Sequence, residues 1–151
     1  MAKACGNYLN SVLAKLEACR DGYDDAIMLD TQGFVSEGTG ENIFIVNGGE
    51  LITPSYSSSI LSGITRDTVK YLANDLGLKV TERQITRFEL YTADEAFFSG
   101  SAAEIAPIVE VDQRMIGFGK TGTWTKKISA AFQEVVTGEN PKYSKWLTSV
   151  Y

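Results

Sequence analysis

The sequence predicts a single α/β domain built on a mixed, partly antiparallel sheet with flanking helices. Three observations carry this. The apolar runs NIFIV (42–46) and ELITP (50–54) flank NGG, the clearest hairpin signal in the chain. A second pair, AIMLD (26–30) and FVSE (34–37), flanks the turn signal TQG. Helical periodicity occurs before and after these strands, without the strict strand–helix alternation of a simple doubly wound sheet. The length of 151 residues suits one hydrophobic core, and 44% hydrophobic with 22% charged residues places the chain among ordinary globular proteins.

The elements follow in order. Leu9, Val12, Leu13 and Leu16 recur at helical spacing, so an amphipathic helix is expected from about Asn7 to Ala18. A Ser-rich loop at 55–59 follows the hairpins. GITRDTVKYLANDLG (63–77) has a capping-type Thr65, an early Asp67, a face of Val69, Leu72 and Leu76, and a closing Gly77, so it reads as a helix. LKVTERQI (78–85) alternates as a strand does, and TRFELYTA (86–93) reads as a short helix. EAFFSG (95–100) and IVEV (108–111) are two further strands. Ile128, Ala131, Phe132, Val135 and Val136 place a last helix at about 124–136, ahead of an aromatic tail. Neither an internal repeat nor a low-complexity region interrupts this order.

Composition narrows the function classes. A net charge of −5 argues against nucleic acid, whose phosphates attract basic surfaces. No apolar run approaches the roughly 20 residues of a membrane span, and no signal-peptide pattern opens the chain, so a cytoplasmic location is expected. Cys5 and Cys19 form no close-spaced metal or redox pair. Across a helix they would sit up to roughly 20 Å apart, too far for a disulfide. Histidine is absent, which removes Ser-His and Cys-His arrangements and most zinc sites; no metal is expected. Acid–base chemistry would fall to Lys, Glu, Asp or Tyr, or to a cofactor.

Four loops can carry chemistry. Lys3 precedes the first helix, with Asn7 and Tyr8 close behind: it is either a solvated lysine or a Schiff-base lysine with Tyr8 as its hydrogen-bonding neighbour. Glu37 stands before the turn Gly38-Thr39-Gly40, as a solvated acid or as the partner of a cationic ring. Gly38, Gly40 and Ile43 do not match the dinucleotide fingerprint G-x-G-x-x-G. Glu41 and Asn42 can bond the local backbone and fix that turn. Gly63-Ile64-Thr65 opens a helix, where Thr65 either caps or helps hold an anion. In SGSAAE (99–104), Ser101 and Glu104 have capping-box spacing, and the amides after Gly100 can receive phosphate or carboxylate oxygens. A lysine, an acid on a tight turn and two anion-binding turns together match the needs of pyridoxal 5'-phosphate.

AKACGNYLNSVLA, GYDDAIMLDTQGFVSEGTGENIFIV, SGITRDTV and DEAFFSGSAAEIAPI resemble, in order and spacing, the signature segments of branched-chain amino acid aminotransferases. These are class IV, fold-type IV pyridoxal-phosphate enzymes. The resemblance implies the large domain of that fold, with its sheet or pseudo-barrel. It makes Lys3 the lysine that holds the cofactor and moves the proton between substrate Cα and cofactor C4′. Tyr8 matches the tyrosine beside the cofactor's phenolic oxygen, and Glu37 the acid paired with the pyridine nitrogen. Gly38 and Gly40 would let the backbone pass close to the ring. Ile64 and Thr65 match one phosphate-binding turn, and Gly100 and Ser101 the other. Ser101 and Ala102 match positions whose amides receive the substrate carboxylate. The implied reaction is amino transfer between leucine, isoleucine or valine and 2-oxoglutarate, by a homo-oligomer.

The family's smaller N-terminal domain is not matched, so residues 1–151 are expected to be the cofactor-binding C-terminal domain alone. A phosphate-contacting arginine and much of the side-chain pocket belong to that other domain. Alternatives within the fold are a D-amino acid aminotransferase or an aminodeoxychorismate lyase. From another class, the alternative is a non-catalytic isolated domain that folds and associates.

Overall fold

The computed structural model describes residues 3–148. A 3-10 turn, Cys5–Tyr8, runs into helix α1, Leu9–Arg20. Strands β1 (Ile27–Leu29) and β2 (Val35–Gly38) form an antiparallel pair with an irregular register. Strands β3 (Asn42–Asn47) and β4 (Glu50–Thr53) form the hairpin that NGG predicts, Asn47 facing Glu50 across Gly48 and Gly49, both at positive φ.

Helix α2, Ile64–Asp75, then crosses over so that β5 (Lys79–Glu82) lies parallel to β4. After α3 (Arg87–Tyr91), strand β6 (Glu95–Gly100) pairs antiparallel with β3, and β7 (Glu104–Ile108) with β6. The sheet order is β5-β4-β3-β6-β7, a mixed sheet with one parallel pair, as the sequence predicts. A small hairpin of β8 (Glu110–Val111) and β9 (Arg114–Met115) leads to α4, Thr123–Val136, and a 3-10 segment, Pro141–Trp146.

The period-2 alternation of β3 sorts the core into two layers. Phe44 and Val46 join Leu51, Phe97, Val69, Leu72, Ile128 and Phe132 beneath α2 and α4. Ile43 and Ile45 join Val35, Ile52, Ile85, Leu90 and Phe98 on the opposite face. Phe44 and Phe97 stack across the β3–β6 pair at 5.1 Å between ring centroids.

Several expectations are corrected. The capping-box reading of Ser101 and Glu104 fails: residues 101–103 form the turn of the β6–β7 hairpin. Glu104 opens β7 at φ 51°, and its carboxylate accepts from Gln133 Nε2 on α4 at 2.6 Å. The isoleucines at 105 and 108 favour the ladder over a helix. Thr65 does not cap α2: Gly63 is the N-cap residue, and Thr65 is buried one position inside the helix. The strand foreseen at 78–85 pairs only over Lys79–Glu82, and that at 108–111 divides between β7 and β8. The apolar stripe of α1 forms but is not covered: Leu9 and Leu13 are 71% and 67% exposed. The last three residues of the aromatic tail lie outside the described residues.

Phe97→Ala removes a stacked, fully buried ring and should cost about 3–5 kcal/mol in urea denaturation. Phe118→Ala, at a ring that is 95% exposed, should change stability by about 0.5 kcal/mol or less.

Candidate functional site

The penultimate residue of strand β2 is the acid that the sequence analysis singles out. Glu37 is half-buried, and its Oε2 accepts from the Leu61 backbone N–H at 2.8 Å and from Asn42 Nδ2 at 3.1 Å. Neither donor meets Oε1. Burial pushes the Glu37 pKa above its ordinary value, the neighbouring Glu41 carboxylate adds to the rise, and the Leu61 N–H and the Lys3 charge oppose it. A cation placed beside this carboxyl would pull the value down again.

Glu37 lines a cavity of about 180 Å³ with Tyr8, Asn10 and Ser11 from the α1 side, and with Thr39, Gly40 and Asn42 from its own side. Three predicted residues, Tyr8, Glu37 and Gly40, therefore line one cavity. Lys3 is exposed and lies outside that lining, yet close enough to Glu37 for its charge to act there.

A second, larger groove of about 890 Å³ collects Ile64, Thr65 and Ser101, with Tyr71 and Trp146 farther along it. The start of α2 has no side-chain cap, so its first amides are left for an acceptor other than a protein side chain. Gly100 lies against the 40–41 segment: a Cβ there would stand 3.4 Å from Glu41 Cγ and 3.8 Å from the Gly40 carbonyl. Ala102 is exposed in the β6–β7 turn and lines neither space. The predicted residues thus fall into two neighbouring groups. Tyr8, Glu37 and Gly40 form one, and Ile64, Thr65 and Ser101 the other.

The connection between the groups is a buried side chain whose role the sequence reading missed. Asn42 Nδ2 donates both to Glu37 Oε2 and to the Leu61 carbonyl, at 2.9 Å. Its Oδ1 fills the space beside Gly63: a Cβ on that glycine would lie 2.2 Å from it. Asn42 was expected to brace its own turn; it reaches instead to the 61–63 segment. Glu41 does brace the turn, its Oε2 accepting from the Gly40 N–H at 2.9 Å and its carbonyl from the Gly38 N–H at 2.7 Å. Gly38 is required sterically, since a Cβ would meet Phe98 at 2.8 Å.

Arg66 is the second residue missed. It is fully buried, donates to the Pro54 carbonyl at 2.9 Å and to Glu82 Oε2 at 2.6 Å, and lies over the Tyr56 ring. It pins both flanks of the loop that delivers Leu61. Its position in the Arg66, Val69, Ala73 stripe, the core face of α2, is the signal that could have marked it.

The geometry fits pyridoxal phosphate in three respects. A carboxyl with one oxygen that accepts no hydrogen bond among the described residues sits on a cavity wall, a phenol shares that cavity, and an uncapped helix start with two hydroxyls stands close by. No group of three or more metal-ligating side chains occurs among the described residues.

The profile of the family described as "Amino-transferase class IV" matches residues 1–111. A probable branched-chain-amino-acid aminotransferase of Aquifex aeolicus is 52% identical over 99% of this chain and 48% of its own length. The branched-chain-amino-acid aminotransferase of Escherichia coli is 50% identical, with the same shares covered. Among solved structures, the branched-chain aminotransferase of Thermoproteus uzoniensis with norvaline superposes at a TM-score of 0.96 and 54% identity. It is covered over 50% of its chain, and this chain over 100%. The PLP-form enzyme of Thermobaculum terrenum superposes at 0.94 and 48% identity, over 97% of this chain and 48% of that one. The chain thus spans about half the length of the relatives it matches.

Three substitutions test the site. Asn42→Ala should destabilise the chain by about 1–3 kcal/mol, through the buried groups it leaves unpaired. Gly63→Ala should cost about 1–3 kcal/mol alone and clearly less in the Asn42→Ala background, because the obstructing oxygen is gone. Glu37→Gln keeps an oxygen to accept from Leu61 and Asn42 but removes the charge. Because the folded-state pKa of Glu37 is raised, its favourable contribution is present below its unfolded value and lost as pH rises through the folded value. Thermal melts without cofactor should therefore place the Gln variant above the parent at pH 8, with no such gain at pH 4.

Proposed function

Because this chain belongs to the class IV aminotransferase family, we propose that it is the cofactor-binding C-terminal domain of a branched-chain amino acid aminotransferase. The observation that carries the proposal is the half-buried Glu37 carboxyl, fixed by Leu61 and Asn42 beside Tyr8, with the uncapped start of α2 following Leu61. Pyridoxal phosphate, when bound, supplies an electron sink for the substrate Cα. Glu37 would hold a proton on the ring nitrogen, and the donors on its Oε2 keep the carboxylate aimed. Tyr8 would donate its phenol proton toward the cofactor's own phenolic oxygen. The α2 amides with Thr65, and the Gly100–Ser101 turn, would bind phosphate, which a helix start favours by its dipole. Lys3 would form the covalent attachment and carry the proton to and from the substrate Cα. Ser101 and Ala102 would orient the substrate carboxylate through their amides.

The proposed substrates are leucine, isoleucine and valine with 2-oxo acids, following the names of the relatives. A D-amino acid aminotransferase or an aminodeoxychorismate lyase would use the same lysine and glutamate, and a substrate panel separates them. The exposed, unpaired thiols of Cys5 and Cys19 support a reducing, cytoplasmic setting. No helix among the described residues is long and apolar enough to cross a membrane. The acidic composition supports small-molecule partners over nucleic acid.

One observation favours a second reading, that these residues alone are a folding and associating half. Val12 and Leu16 remain 52% and 62% exposed beside Leu9 and Leu13, a stripe of the kind that covers itself with another domain or another copy.

The test is an absorbance titration with pyridoxal phosphate followed by borohydride, with Lys3→Ala as control. A Lys3-dependent band that borohydride fixes to the Lys3 peptide supports the first reading, and added leucine should then change the band. A band that persists in Lys3→Ala, or none at all, supports the second.

A further inference from the structure

We propose that Asp25 is a positioning residue: its carboxylate ties α1 to the Thr39 turn and so sets how Lys3 and Tyr8 stand against Glu37. This rests on the cofactor reading above. Helix α1 buries none of its residues, so no fully packed apolar side chain anchors it. Its Lys15 instead reaches Asp25, with Nζ 2.6 Å from Oδ2, and donates as well to the Asp24 carbonyl. The other carboxylate oxygen, Oδ1, accepts from Thr39 Oγ1 at 2.6 Å and from the Ala26 N–H at 2.7 Å.

One carboxylate therefore serves two elements at once. On one side is the helix that carries Tyr8 at its threshold and follows Lys3. On the other is the Gly38-Thr39-Gly40 turn, which continues directly from Glu37. Both elements contribute to the lining of the 180 Å³ cavity. The Asp25 side chain is only 17% exposed, so water competes weakly for these bonds. Burial alone would raise the Asp25 pKa; the bonds from Lys15, Thr39 and the Ala26 N–H outweigh it and hold the value below the ordinary one. The acid is thus ionised at neutral pH, with both ties made. Nothing in the proposed chemistry uses Asp25, Lys15 or Thr39, so their cost in ordered side chains is accounted for by placement.

The experiment uses the full chain and five variants: Asp25→Ala, Asp25→Asn, Lys15→Met, Thr39→Val and the double variant Asp25→Ala/Lys15→Met. Without cofactor, amide exchange over residues 9–20 and 38–40 should rise about fivefold or more in Asp25→Ala, while the β3–β6 ladder is unchanged. Lys15→Met should release the helix alone and Thr39→Val the turn alone. The double variant should lose clearly less than the sum of the two single losses, because the lysine shares that carboxylate and keeps only the Asp24 carbonyl as a separate partner. With pyridoxal phosphate, the concentration for half-maximal borohydride fixation at Lys3 should rise about tenfold in Asp25→Ala. Asp25→Asn, which keeps an oxygen for Thr39, should fall between Asp25→Ala and the parent. Unchanged exchange in helix and turn, strictly additive losses, or equal opening of the β3–β6 ladder would each overturn the inference. If the parent itself fixes no cofactor at Lys3, the cofactor reading fails, and the exchange results still decide whether Asp25 is the tie.

Discussion

Much of the site depends on one amide group. Asn42 begins the central strand, and its Nδ2 reaches both the Glu37 carboxylate and the carbonyl of Leu61, 19 residues downstream. Through it, the end of β2, the start of β3 and the loop before α2 are held in one arrangement. Buried polar groups of this kind are favourable only when every partner is present, because an unpaired one keeps its desolvation cost. Leu61 completes the set by returning its own N–H to Glu37. The absent Cβ of Gly63 is the steric condition for all of this, since the Asn42 oxygen occupies that space. A glycine that reads as a helix start in the sequence is thus a packing requirement of the site.

The hairpins and the helices were legible because they follow from short-range rules. NGG demands positive φ between two apolar runs, and the alternation of NIFIV assigns its residues to opposite faces. Lys3, Tyr8 and Glu37 were legible as chemical types, grouped first on the needs of pyridoxal phosphate and then on the resemblance; of the three, Tyr8 and Glu37 line one cavity. What escaped were long-range polar contacts. No spacing rule links Asn42 to Leu61, or Arg66 to Pro54 and Glu82, because the partners lie 19, 12 and 16 residues apart and meet only in the tertiary fold. The failure at Ser101–Glu104 has the same root. A capping box needs a helix to cap, and the β6–β7 ladder competes for that backbone and wins. Thr65 was misread because a threonine one residue inside a helix has the same local sequence context as a cap.

The helix preceding the first hairpin shows how a pattern can be right in period and silent about its partner. Its leucines recur as an amphipathic stripe, yet the described residues leave that stripe facing outward. Placement falls to polar groups, Lys15 and Asp25 foremost, which act at short range and hold direction better than apolar contacts do. A segment attached in this way can be aimed closely while contributing little to global stability.

The outermost strands have a consequence for the molecule's life in solution. Any open sheet presents unsatisfied backbone groups at its margins, and these recruit foreign strands into aggregates. On one margin, Pro107 of β7 has no amide hydrogen to offer, and Glu104 twists the strand's beginning with its left-handed backbone. On the other, β5 begins with Lys79 and ends with Glu82, whose charges resist stacking by another strand. Growth by strand addition is therefore obstructed on both sides. What the exposed stripe of α1 presents to its surroundings is side chains, and not a margin of backbone to which an endless ribbon of strands could add.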